Sequence, residues 1–211
     1  MKAGVSELRY IVDSALSAPY RRVTRCEMRC GAAVWLKRIE RSDPHLWVVK
    51  GLPGQAFDRD RRSHRFLRSC GVPVPAVLLE SDSYFVVEDA GHSLSALCGD
   101  PLVAKVEKLA ACIAAGQALA RLHAADLAHG RPAFRDMCWD GRRIRFIDFE
   151  YFDPSQAGSI RKARDIGIAL LSALSQGGEG LRFARSFLSA YRLARRKRSK
   201  PYFAPLWDQT R

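Results

Sequence analysis

No apolar run in the sequence reaches the roughly 18–20 residues of a membrane-spanning helix. The best candidate, Ile166–Leu174, is interrupted by Gly167 and follows Arg164 and Asp165. Met1–Tyr10 lacks a basic stretch followed by an apolar segment, so no secretory leader is expected and the expected location is the cytoplasm. CxxC pairs are absent. Cys26, Cys30, Cys70, Cys98, Cys112 and Cys138 are scattered, which disfavours a zinc site and a disulfide framework and points to reduced thiols. Internal repeats, low-complexity blocks and Gly/Ser linkers are also missing, so no clean domain boundary is visible. Acidic residues are few beside basic ones, 22 Asp and Glu against 35 Lys and Arg, for a net charge of +13.

What is present is 211 residues, 47% hydrophobic and 27% charged, enough for one globular domain or one domain built as two unequal lobes. The excess positive charge implies attraction to an anionic partner: nucleic acid, an anionic membrane surface or a phosphorylated substrate. Its densest run, Arg192–Lys200, holds six basic residues in nine, on a helix-like pattern through Phe183, Phe187, Leu188 and Tyr191 that stops at Pro201. Two readings of that run stand side by side. One is a contact with lipid headgroups or another polyanion; the other is a solvated helix end, where cations complement the carbonyl terminus.

The first half reads as strands. Ala32–Ile39 and Leu46–Lys50 are short and apolar-rich and flank Arg41-Ser-Asp-Pro44, which has hairpin chemistry. A helix is expected over Phe57–Ser69, ending before Gly71-Val-Pro-Val-Pro75. Val77–Glu80 and Tyr84–Glu88 form a second strand pair around Ser81-Asp-Ser83. The second half changes character: apolar residues at Val103, Val106, Leu109, Ile113, Leu119 and Leu122, with Gly116 among them, predict one long helix. His64, His92 and His123 have no metal-site spacing, and Trp35 and Trp139 are expected in the core.

Between the helices, Asp140-Gly141 is a two-residue hairpin signal joining Met137–Trp139 to Arg143–Ile147. That hairpin brings Asp136 and Asp148 to one open end. Two carboxylates there repel unless a cation lies between them, and the pair suits Mg²⁺, a hard ion that takes a few carboxylates plus phosphate oxygens. The alternative is structural, with Asp136 paired to Arg131 or Arg135 and Asp148 capping a turn.

The order of these residues, from about Val34 to Leu174, resembles the protein-kinase-like fold. The resemblance is to its small bacterial branch: the lipopolysaccharide core kinases (Kdo and heptose kinases, the InaA-like group), related to the RIO-type atypical kinases. It implies an α+β, two-lobed chain, with a small antiparallel β-rich lobe over 1–90 and a reduced helical lobe with a basic tail over 91–211. Trp47-Val-Val-Lys50 looks like the strand ending in the lysine that contacts ATP phosphates. Gly31, in Arg29-Cys-Gly-Ala-Ala33, stands for the phosphate-covering loop, and Glu88–Ala90 for the hinge backbone that meets adenine. His129-Gly130 resembles the start of the catalytic loop, Asp136 falls at the metal-binding Asn, and Asp148-Phe-Glu150 resembles the metal-binding DFG. Arg164-Asp165 opens the next helix, where such kinases place an Asp that ties down the catalytic loop.

Three departures accompany the resemblance. Arg131 stands where the catalytic Asp would be, Ser63 where the lysine-pairing Glu would be (with Asp60 the nearest substitute), and no GxGxxG is present. Only sixteen residues separate Asp148 from Asp165 and no APE motif follows, which disfavours an extended peptide substrate and suits a compact acceptor such as a sugar hydroxyl. The leading expectation is an ATP- and Mg²⁺-dependent phosphotransferase acting on a sugar of the lipopolysaccharide core, peripheral to the inner membrane through Arg192–Lys200. Lys50, Arg131, Asp136 and Asp148 would be catalytic, Asp136 and Asp148 would hold metal, and His129, Asp165 and Asp60 would brace the site. The alternative is a catalytically impaired regulatory or scaffold protein. Nucleic acid is the less expected partner, because RIO-type relatives would keep the catalytic Asp.

Overall fold

The computed structural model describes residues 2–40 and 53–196, so Lys50 and Lys197–Lys200 lie outside the described residues. The chain divides into two compact units, Met1–Arg65 with Pro75–Asp89 and Phe66–Val74 with Ala90–Arg211. Phe66–Val74 and Ala90, expected with the first lobe, are thus assigned to the helical unit. Among the described residues no helix is long and apolar enough to cross a membrane.

The first unit opens with a helix in a stretch to which the sequence reading assigned no element. Helix α1 (Lys2–Ser17) carries Leu8, Ile11, Val12, Ala15 and Leu16, a helical stripe that the strand reading of this half missed. Strands β1 (Val23–Glu27) and β2 (Ala33–Arg38) follow, then helix α2 (Pro53–Ser69) and strands β3 (Val77–Glu80) and β4 (Tyr84–Glu88). The four strands form one antiparallel sheet in the order β1-β2-β4-β3. Strand alternation sorts β2 onto two faces. Val34 and Leu36 are buried with Leu8 and Val12 of α1, whereas Trp35 packs on the opposite side with Phe85, Val87 and Phe57 of α2. Lys37, two residues after Trp35, therefore points toward α2.

The second unit holds β5 (His92–Ser93), α3 (Leu94–Gly99), α4 (Lys105–Ala124), β6 (Met137–Trp139), β7 (Ile144–Phe146), α5 (Ser159–Leu174) and α6 (Gly180–Arg196). Strands β5, β6 and β7 form a small antiparallel sheet, with Met137 opposite Phe146 and Trp139 opposite Ile144. The Asp140-Gly141 hairpin forms as its sequence predicts. Helix α5 starts at Ser159, so Asp165 lies in its second turn and does not open it. The buried core gathers Leu67, Leu94, Leu119, Leu122, Phe134, Phe146, Phe149, Phe183 and Phe187.

Helix α4 is present, but its buried face differs from the expected one. Val106 and Ile113 are 75% and 41% exposed, and the interior side consists of Ala111, Cys112, Ala115, Gly116, Ala118, Leu119 and Leu122. Small residues let α6 approach closely: a Cβ on Gly116 would lie 2.2 Å from the Phe187 carbonyl oxygen. Gly116→Ala is therefore expected to overpack the α4–α6 contact and destabilise by about 1–3 kcal/mol. In thermal denaturation this reads as a fall of about 2–4 °C per kcal/mol; an unchanged midpoint would show that the two backbones do not meet there.

Candidate functional site

In the second unit the site is organised by a buried carboxylate. Asp165 is fully buried and accepts the backbone N–H of His129 at 2.7 Å and of Gly130 at 3.0 Å. His123 Nε2 faces the same carboxylate at 3.2 Å, and its Nδ1 meets the Tyr191 hydroxyl at 2.8 Å. Burial holds the His123 imidazole below its ordinary pKa although Asp165 pulls it upward, so the ring stays neutral near pH 7. Neutral His123 then donates from Nε2 to Asp165 and accepts from Tyr191 at Nδ1. The sequence offered His123 only as a packing residue. Its place six residues before His129, near the end of α4, was the missed signal.

The loop thus fixed carries His129-Gly-Arg131. His129 Nε2 donates to the Ile147 carbonyl at 3.1 Å, and its ring packs on Phe149 with centroids 4.8 Å apart. Gly130 has φ of +99°, and a Cβ there would lie 2.5 Å from the Tyr151 carbonyl oxygen, so only glycine lets the loop pass. Arg131 stacks its guanidinium 5.0 Å from the Tyr151 ring centroid and sets Nη2 3.5 Å from Asp148 Oδ2.

Asp136 and Asp148 flank the β6–β7 hairpin, where the Ile147 N–H donates to the Asp136 carbonyl at 3.0 Å. Asp136 is buried, accepts the Ala133 N–H at 3.2 Å, and has Arg135 Nε at 3.5 Å. Burial and then the negative charge of Asp148 push its pKa up to about 7, against the smaller pull of Arg135 and Arg131. Asp148 has a left-handed backbone, φ of +66°, a conformation that costs free energy and recurs at functional positions. The structural alternative left open for Asp136 is thus partly realised, since Arg135 lies beside it, while Asp148, expected there to cap a turn, faces Arg131. Neither arginine removes the repulsion felt at Asp136, and the donor set (two hard carboxylates and no sulfur) fits Mg²⁺. Among the described residues no group of three or more metal-ligating side chains occurs, so phosphate and water oxygens would complete such a coordination shell.

The first unit supplies a pair that the sequence reading did not name. Lys37 of β2 reaches Asp60 of α2 with Nζ 2.7 Å from Oδ2, the two side chains 17% and 5% exposed. Asp60 was expected as the partner of Lys50, which lies outside the described residues; among the described residues Asp60 meets Lys37 and, at 3.6 Å, His64 Nε2. Ser63, at the position aligned with the lysine-pairing Glu, turns its hydroxyl back to the Arg59 carbonyl at 2.6 Å. Gly31 occupies the exposed β1–β2 turn with φ of +81°. Glu88 ends β4 and accepts the Ala76 N–H at 3.2 Å, while Ala90 is buried at the start of the second unit. The signal for Lys37 was strand alternation, which places it with Trp35 on the α2 face.

No known family profile matches the sequence. An uncharacterized protein of Haemophilus influenzae is 34% identical over 120 residues, 57% of this chain and half the length of that protein. Among solved structures, the MAP kinase LmaMPK10 of Leishmania major superposes over 85% of this chain with a TM-score of 0.51. The chain has a protein-kinase-like fold. Identity to that kinase is 15%, and 62% of its chain is covered; a second structure of LmaMPK10 gives a TM-score of 0.50 at 14% identity, covering 90% of this chain and 66% of the other. The likeness concerns architecture. This protein-kinase-like chain spans less than its relatives do.

The raised pKa of Asp136 has a consequence for stability. The folded chain holds this proton more tightly than the unfolded chain, so stability falls as pH rises from about 4 toward 7, by on the order of 4 kcal/mol at full ionisation. Asp136→Asn removes that slope. In urea denaturation at pH 5 and pH 8, the variant is expected to gain on the wild type as pH rises. Millimolar Mg²⁺ should restore the wild type at pH 8 and leave the variant unchanged. Parallel pH curves for the two proteins would refute the electrostatic reading of the pair.

Proposed function

We propose that the chain is an ATP- and Mg²⁺-dependent phosphotransferase of protein-kinase-like fold whose acceptor is a compact hydroxyl compound, a sugar of the lipopolysaccharide core type. The observation that carries this reading is the Asp136–Asp148 pair beside a loop clamped to Asp165, on a fold shared with kinases. Lys37, oriented by Asp60, is the described lysine placed to offer its ammonium to nucleotide phosphate, the role the sequence gave to Lys50. Asp136 and Asp148 would hold Mg²⁺, which when bound would offset the negative charge of the phosphate groups. His129 and Asp165 keep the loop in place, and the backbone at Glu88–Ala90 remains the candidate for adenine.

The acceptor class is supported by how little chain follows Asp148. Ten residues separate it from the first residue of α5, and within them Phe149 and Phe152 are buried in the unit's own core. A segment so short and so committed to packing offers no platform for an extended peptide. The absent catalytic Asp need not abolish transfer, because phosphoryl transfer relies mainly on positioning and charge stabilisation. General-base help is worth about 10²–10⁴-fold, so slow turnover is expected.

One observation favours a second reading, a regulatory or scaffold protein: Arg131 already sets its guanidinium beside Asp148. Thermal shift separates the two. An active site predicts a rise in midpoint with ATP that grows on adding Mg²⁺, loss of the Mg²⁺ component in Asp148→Ala, and loss of most of the ATP shift in Lys37→Ala. Arg131→Ala should strengthen Mg²⁺ binding if the arginine competes with the ion. No shift at millimolar ATP would leave the scaffold reading. Mass analysis of core oligosaccharide from cells lacking the protein then tests the acceptor, with loss of one phosphate expected.

A further inference from the structure

Five arginines from separate stretches of the second unit line one cavity of about 560 Å³: Arg68 at the end of α2, Arg121 of α4, Arg142 and Arg143 at the hairpin turn, and Arg145 of β7. They do not belong to one helix face, so a solvated stripe does not account for them. The cavity has no acidic residue in its lining. The nearest carboxylate, Asp140, is already engaged: it accepts the backbone N–H groups of Arg142 at 3.0 Å and Arg143 at 2.9 Å, and lies 3.4 Å from both Arg143 Nε and Arg145 Nε. Arg68 and Arg142 have no carboxylate partner among the described residues.

Apart from Gln117, the rest of the lining is apolar or glycine. Val72, Val74 and Ile144 are buried, and Ala118 of α4 leaves room for a ligand beside them. The backbone beneath is pinned by the Val72 N–H to the Leu67 carbonyl at 2.9 Å and the Phe146 N–H to the Pro73 carbonyl at 3.0 Å. Guanidinium forks gathered around a largely apolar floor in a cavity of this size suit phosphate groups, which arginine binds in bidentate fashion. We propose that this cavity is a binding site for a compact ligand carrying two or more phosphate groups. The site lies at the turn end of the hairpin, and Asp136 and Asp148 flank its other end, so it is separate from the proposed metal pair and does not depend on phosphotransfer.

The ligand's source is either a free polyphosphorylated compound or a phosphorylated lipid headgroup, and the test has an arm for each. Calorimetry with inorganic tripolyphosphate, in EDTA so that the carboxylate pair recruits no metal, should show one site on the full chain. Its affinity should fall with salt as several ionic contacts are lost. The double variant R68Q/R142Q, both positions exposed, should bind at least tenfold more weakly. The equally discharged control R9Q/R29Q, in the first unit, and Asp148→Ala should bind as the wild type does, and R68Q/R142Q should keep the ATP thermal shift. Phosphatidylcholine vesicles doped with phosphatidic acid that retain the wild type, release it to tripolyphosphate and fail to retain R68Q/R142Q would assign a headgroup; tripolyphosphate binding without vesicle retention would assign a free ligand. Equal weakening in both double variants, or no binding at millimolar tripolyphosphate, would overturn the site. So would binding of duplex RNA that R68Q/R142Q loses while tripolyphosphate fails to bind.

Discussion

The second unit depends on one fully buried carboxylate. An ionised Asp in an apolar interior is costly unless its oxygens are matched by donors. Asp165 meets that condition with two backbone amides of the His129-Gly130 loop and the neutral imidazole of His123. Those partners come from α4 and from the loop, and Tyr191 on α6 holds the imidazole from behind. Three helices and the loop are thereby tied to one charge. The loop's path then requires a residue without Cβ at position 130, where it crosses the Tyr151 carbonyl. Crossing there sets Arg131 over the Tyr151 ring and against Asp148. Chemistry at the hairpin's open end is therefore inherited from a polar contact in the core.

Charge balance at that end is unequal. Asp136 is buried and bears the repulsion, whereas Arg131 and Asp148 are 32% and 22% exposed. An ion pair that open to water contributes about 0–1 kcal/mol. A divalent ion shared by two carboxylates relieves the repulsion at Asp136, which Arg131 only lessens. Arg131 is best understood as a resident counter-ion to Asp148 whose pairing is weak and open to water.

Parts of this were legible in the sequence because their signals are local. Asp140-Gly141 fixes the hairpin, Ser81-Asp-Ser83 fixes the β3–β4 turn, and from the hairpin alone Asp136 and Asp148 follow as neighbours. The misses share a different cause. Lys37 ends a short apolar stretch like Lys50, and its contact with Asp60 arises only once β2 and α2 have packed. Helix α4 was expected to bury Val106 and Ile113, but a helix lying close against α6 favours alanine and glycine, which carry little weight in a hydrophobic pattern. Helix α1 was overlooked because the clear strands near it set the reading of the whole first half.

Positive charge illustrates the same limit. Counting along the chain draws attention to Arg192–Lys200, because six basic residues stand together there. The arginines at 68, 121, 142, 143 and 145 are dispersed in sequence and meet only once α2, α4 and the hairpin have packed. Their meeting place gives the hairpin two unlike ends. Carboxylates flank the open end, where a cation is wanted, and guanidinium groups crowd the turn, where an anion is wanted. Between them lie strands of three residues each, with Ile144 and Phe146 buried and the Phe146 amide bonded to Pro73. A ribbon this short and this well packed moves as one body. An anion that ordered the turn would therefore also narrow the positions open to Asp136 and Asp148, because no flexible segment lies between the two ends to absorb the change.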